Sequence, residues 1–92
     1  MLTAIVLINA DSSRIPEVAE GITQIKGVSE VYSVTGDRDL VAMVRVSDHE
    51  KLADVIADKM GKVEGVHDTT TYIAFRAYSQ HDLEAAFHIG LD

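Results

Sequence analysis

The chain has 92 residues, 47% of them hydrophobic and 25% charged, which suits one folded domain and excludes both a second domain and a disordered chain. Eight Lys and Arg stand against fifteen Asp and Glu, and the net charge of −7 excludes a broadly basic nucleic-acid surface and docking on anionic membranes. The absence of cysteine excludes disulfides, thiolate metal sites and a cysteine nucleophile.

The first predicted element is a strand, Leu2 to Ile8, with Leu2, Ala4, Val6 and Ile8 on one face and Ile5 and Leu7 on the other. Asn9 to Ser13 reads as a turn and helix start. Pro16 suits the first helical turn, and Ile15, Val18, Ala19, Ile22 and Ile25 keep helical spacing until Gly27. Val28 to Thr35 alternates as a second strand, with Val28, Tyr32 and Val34 on one face and Val31 on the other. A turn at Thr35-Gly36-Asp37-Arg38 leads into a third strand, Asp39 to Val46. The short connection makes the two an antiparallel hairpin. Leu40, Ala42, Val44 and Val46 share one face of that strand, and Val41 and Met43 the other. Ser47 and Glu50 form a capping-box pattern, with Ser47 expected at the N-cap of a second helix carrying Leu52, Val55, Ile56 and Met60. Val66 to Ala77 reads as a Thr-rich last strand. The tail, 79–92, carries Leu83, Ala86, Phe87 and Gly90 at the spacing of a short helix.

The order β-α-β-β-α-β is the ferredoxin-like α+β arrangement: a four-stranded antiparallel sheet with two helices on one face. The expected division is a domain at 1–78 and a tail at 79–92 that packs on its own or a neighbouring subunit. The first and third strands carry apolar residues on both faces. Two helices cover only one, so the second face is expected to pack on a second copy of the sheet as a two-fold dimer. No segment is long enough to span a bilayer and no signal-peptide pattern opens the chain, so a cytoplasmic location is expected.

No nucleophile–base pair, phosphate-binding glycine loop or dinucleotide fingerprint is present, and no catalytic residue is assigned. His81 and His88 are seven apart in the tail, with Asp82 and Glu84 nearby; that is weak metal spacing, and no metal or cofactor is expected. The stretch Thr35-Gly36-Asp37-Arg38-Asp39 packs flexible backbone, two carboxylates and one cation into five residues. Backbone N–H groups there can hold a carboxylate and Asp39 can hold an ammonium, which together suit a free amino acid. The same residues also make an ordinary solvated turn. Thr69 and Thr71 share a strand face and can join such a polar site, or serve simply as good strand formers.

These residues together resemble the ligand-binding domain of the Lrp/AsnC family, the RAM module, over nearly the whole chain. The carrying residues are Gly27-Val28, Val34 through Leu40, Gly65-Val66, Thr69-x-Thr71-x-Ile73, and Asp82-Leu83-x-x-x-Phe87-x-Ile89-Gly90 in the tail. The resemblance implies a dimer through the sheets (a dimeric α/β-barrel), often an octamer of four dimers, and small effectors, usually amino acids, held near the dimer–dimer contacts. Gly36 and Asp39 match typical effector contacts, with Thr35 and Asp37 beside them, and Thr69 and Thr71 match strand positions that contribute. Arg38 stands where the family often has an aromatic residue. Full-length relatives carry an N-terminal helix-turn-helix domain, whereas here Met1 runs directly into the first strand, so direct nucleic-acid binding is not expected.

The expected function is therefore a non-enzymatic amino-acid-binding domain that assembles and modulates transcription or metabolism. Two alternatives remain open. One is a small dimeric α/β-barrel enzyme of the monooxygenase type, against which stands the scarcity of aromatics, Tyr32, Tyr72 and Phe75 being those near strands. The other is an assembly module for full-length Lrp/AsnC regulators.

Overall fold

A computed structural model describes residues 1–78. The sheet is formed by β1 (Leu2–Ala10), β2 (Val28–Ser33), β3 (Leu40–Val46) and β4 (Val66–Ile73). Its order is β2-β3-β1-β4, every neighbour antiparallel, so the first strand lies in the middle. A 3-10 turn (Ser12–Arg14) leads into helix α1 (Ile15–Thr23), with Pro16 in its first turn. Helix α2 (His49–Ala53) continues through a π-helical stretch (Asp54–Lys59) and a 3-10 turn (Met60–Lys62). This is the ferredoxin-like α+β fold. No helix among the described residues is long and apolar enough to cross a membrane.

The core lies between one sheet face and the helices. Ala4, Val6 and Ile8 of β1 and Leu40, Ala42 and Val44 of β3 are fully buried against Val18 and Ile22 of α1 and Leu52, Val55 and Met60 of the second helical segment. Each of the larger side chains contributes about 1.5–3 kcal/mol on burial. In the register Val6 faces Ala42 and Ala4 faces Val44, so small and large residues alternate across the central pair. The opposite face carries Ile5 and Leu7 beside Met43 and Val41, all half-buried and covered by no helix among the described residues.

Several expectations are corrected. Val28 and Tyr32 do not share a face: a bulge between Val28 and Glu30 puts Val28 opposite Val44, with the core, and Tyr32 opposite Val41, on the open side. The second strand ends at Ser33 and Val34 lies in the turn, its N–H donating to the Asp39 carbonyl at 3.1 Å. The last strand ends at Ile73 instead of Ala77. The N-cap of α2 is Asp48 rather than Ser47. Its carboxylate accepts from the Lys51 N–H at 2.9 Å, and the Ser47 hydroxyl donates to Asp48. The tail helix expected at 79–92, with His81 and His88, lies outside the described residues.

The caps give the fold a pH signature. The Lys51 N–H holds the Asp48 carboxyl below its ordinary value of 3.8, and the Ser13 hydroxyl and N–H do the same for Asp11. A carboxylate whose pKa is lower folded than unfolded stabilises the native state above the unfolded value; that contribution is lost as pH falls through the folded value. Melting temperature should therefore drop on acidification below about pH 4. Asp48→Asn, which keeps a capping oxygen but does not titrate, should flatten that fall in melts followed by circular dichroism. An unchanged slope would assign the acid sensitivity to other carboxylates.

Candidate ligand-binding site at the hairpin turn

The turn between β2 and β3 does not project freely; it folds over the end of β1. The β1–β3 ladder ends at the pair Ile8 and Leu40. Beyond it the chain of Asp39 takes over. The Asp39 N–H donates to the Ile8 carbonyl at 3.0 Å, and the Ala10 N–H donates to Asp39 Oδ2 at 2.8 Å. A side-chain carboxylate thus occupies the acceptor position that a longer β3 would supply, and β1 can run on to Ala10, past the expected Ile8.

Arg38 reaches further. Its guanidinium crosses the open face over β1, donating to the Leu7 carbonyl at 3.5 Å and from Nη2 to Thr70 Oγ1 at 3.0 Å. Asp68 lies 3.6 Å away, and only about a quarter of the Arg38 side chain is exposed. The register explains the meeting, because Thr70 pairs with Leu7 and Asp68 with Asn9, which places both on Arg38's side of the sheet. Asn9 adds a buried Oδ1 that has no hydrogen-bond partner among the described residues.

Of the expected site residues, Thr35, Gly36, Asp37 and Asp39 come together in this turn. Thr35 and Asp37 are exposed. Gly36 has φ +115°, and the space where a Cβ would sit is open, so the backbone at the tip is accessible. Thr69 and Thr71 sit opposite Ile8 and Val6, on the helix-facing side, and are not brought to the turn's side of the sheet. Thr70, between them, is the threonine that meets it. The residues that sequence reasoning missed are thus Thr70, Asp68 and Asn9; Asn9 shares the parity of Leu7 on β1, and Thr70 and Asp68 pair with those two once the strand register is known. Arg38 was visible as the lone cation of an acidic turn, but its anchoring was not.

A guanidinium partly satisfied by an exposed carboxylate at 3.6 Å can exchange that partner for another carboxylate, and an adjacent open turn supplies backbone donors. Among the described residues no cluster of His, Asp and Glu is placed to hold a metal ion.

Together the sheet and its helices define a ferredoxin-like α+β domain. The family model for the Lrp/AsnC ligand binding domain matches residues 3–83. The chain belongs to the Lrp/AsnC family. It is 42% identical, over 59 residues, to the uncharacterised HTH-type transcriptional regulator PH1916 of Pyrococcus horikoshii; the match covers 64% of this chain and 39% of that one. The chain spans about two-fifths to half the length of the curated relatives it matches. Among solved structures, TTHA0845 of Thermus thermophilus superposes with TM-score 0.82 at 48% identity, covering 87% of this chain and all of that one. The regulator NMB0573 of Neisseria meningitidis, solved as a complex with L-Met, has the same fold: TM-score 0.77 at 15% identity, over 86% of this chain and 53% of that one.

Proposed function

We propose that this chain is a non-enzymatic sensor of a small effector, an amino acid, that assembles through its open sheet face and modulates transcription in the cytoplasm. The observation that carries the proposal is the turn. Arg38 offers a guanidinium to a carboxylate, Gly36 and its neighbours Thr35 and Asp37 offer open backbone, and Asp39 fixes the turn through Oδ2 on the Ala10 N–H, leaving Oδ1 for an ammonium group. The fold shared with a regulator solved in complex with L-Met supports an amino acid as the ligand class. Thr69 and Thr71, on the other side of β4, line the proposed site only if a neighbouring subunit or a strand shift reaches them, whereas Thr70 already does.

The open face supports an assembly through the sheets. Ile5, Leu7, Val41 and Met43 form an apolar strip flanked by Tyr32 and Tyr72, each about half exposed. A second copy of the same face buries such a strip symmetrically, and four such dimers make an octamer with the turns near the contacts between dimers. A second reading, mixed oligomers with full-length Lrp/AsnC regulators, is favoured by the domain shared with longer HTH-type relatives. Co-purification from the native cell separates it from a self-contained sensor.

The test is thermal unfolding against the twenty amino acids at millimolar concentration. A ligand at a hundred times its Kd stabilises by about 2.7 kcal/mol, and each kcal/mol moves the Tm of a domain this small by about 4–8 °C. One amino acid, or a chemically related few, should raise Tm, and Arg38→Gln should abolish the rise while the protein still folds. No rise with any of them overturns the amino-acid reading.

A further inference from the structure

At the other end of the sheet from the turn lies a cavity of about 420 Å³, within the range of small-molecule sites. Its wall contains Lys26 from the loop before β2, Arg45 from β3, and Lys51 and Lys59 from the second helical segment. Four of the chain's eight cationic residues therefore line one cavity of a protein whose net charge is −7, three of them lysines, while Arg45 turns its guanidinium to Glu30 on the open face. At the chain's overall frequency, ten wall residues would include about one cation. Three separate elements deliver them, so no single run of sequence produces the cluster. Carboxylates offset part of it: Asp54 belongs to the wall, Glu30 accepts from Arg45 at 3.1 Å, and Asp48 at the helix N-cap lies beside Lys51. The wall still keeps a positive balance, carried by its lysines. Among the described residues none of the three lysines makes an ion pair. The floor is of another kind, since Val46 and Val55 are buried apolar residues and Gly27 adds only backbone.

We propose that this cavity binds a phosphate monoester bearing an aromatic base, of the size of a nucleoside monophosphate. A phosphate monoester carries about −1.5 to −2 at neutral pH, which complements that positive balance. A cleft lined by one sign of charge concentrates the field that attracts the opposite ion. The valine floor takes the face of the base, which inorganic phosphate lacks. The site is separate from the turn, so phosphoester and amino acid can be held at once, and the proposal stands or falls independently of the effector reading.

The experiment is calorimetric titration of the full chain with adenosine monophosphate, adenosine, inorganic phosphate and a short DNA duplex, at low and raised salt. Adenosine monophosphate should bind, more tightly than inorganic phosphate, with affinity falling as salt rises; adenosine should not bind. The double variant Lys26→Ala/Lys59→Ala should weaken binding by about tenfold or more, with Tm unchanged because both lysines are exposed. Lys26→Glu alone should reproduce the loss, and Lys62→Ala, which removes an exposed cation outside the wall, should leave binding intact. Failure of adenosine monophosphate to bind overturns the proposal, as does binding that ignores the lysine variants. Inorganic phosphate binding as tightly as the nucleotide removes the organic ligand, and duplex DNA displacing the nucleotide through the same lysines transfers the site to nucleic acid.

Discussion

Replacing Met43 with aspartate should convert an assembled protein into folded monomers. Met43 lies opposite Ile5 in the central strand pair and on the open face, while its neighbours Ala42 and Val44 point into the core. The substitution therefore leaves the helix-covered core alone. In a face-to-face dimer the two-fold axis places the new carboxylate in the interface twice, and each copy must be desolvated on association. An unpaired buried charge costs several kcal/mol, enough to weaken association more than about a hundredfold. Light scattering reads the mass and circular dichroism reports the fold on the same sample. Val41→Asp, opposite Leu7 on the same strip, should behave alike. A folded variant of unchanged mass would show that the sheets do not pair through this face.

Gly65→Ala should be the most damaging conservative change in the described domain. Gly65 has φ +100°, and a Cβ there would sit 2.7 Å from Val18 Cγ2, a buried side chain of α1. The Gly65 carbonyl also accepts from the Asp11 N–H at 2.8 Å, so the backbone cannot turn away without releasing the start of the helical region. Left-handed strain costs about 1–2 kcal/mol and the added methyl about 1–3 more, a large share of the stability of a small domain. Melting temperature should fall by at least about 10 °C. Gly36→Ala gives the contrast. Its φ is +115°, yet nothing lies within 4 Å of the new methyl, so only the strain is incurred and the protein stays folded. A Gly65→Ala protein as stable as Gly36→Ala would mean that Val18 yields easily and that the α1–β4 junction is loosely packed.

Alternation made β1 and β3 legible because both are central strands with one face sealed by helices, so Ala4, Val6, Ile8, Leu40, Ala42 and Val44 had to be core. The same rule failed on β2. One extra residue at the bulge inverts every face after it, and no residue type around Ser29 signals it. Ser47 and Asp48 are both good N-caps, and the choice between them is settled by which side chain reaches the Lys51 N–H. The turn was visible as a cluster of functional groups. What its side chains hold was not: Asp39 meets Ala10 across 29 residues and Arg38 meets Thr70 across 32, contacts fixed by strand order. Period-two reasoning put Thr69 and Thr71 together correctly, but only register tells which face they take. The cation-lined cavity was beyond reach for the same reason, since Lys26 and Lys59 become neighbours only through the packing of helices on the sheet.

The strand order also dictates how this protein must be born. β1 leaves the ribosome before every other strand, yet its partners are β3 on one side and β4 on the other. The hairpin of β2 and β3 can close locally while β1 is still being joined, but the seat beside β1 stays empty until Val66–Ile73 has been made. At about 5–20 residues per second that interval lasts several seconds. Throughout it the nascent chain exposes one unpaired edge of its most apolar strand, and native packing is completed only by nearly the last segment of the described domain.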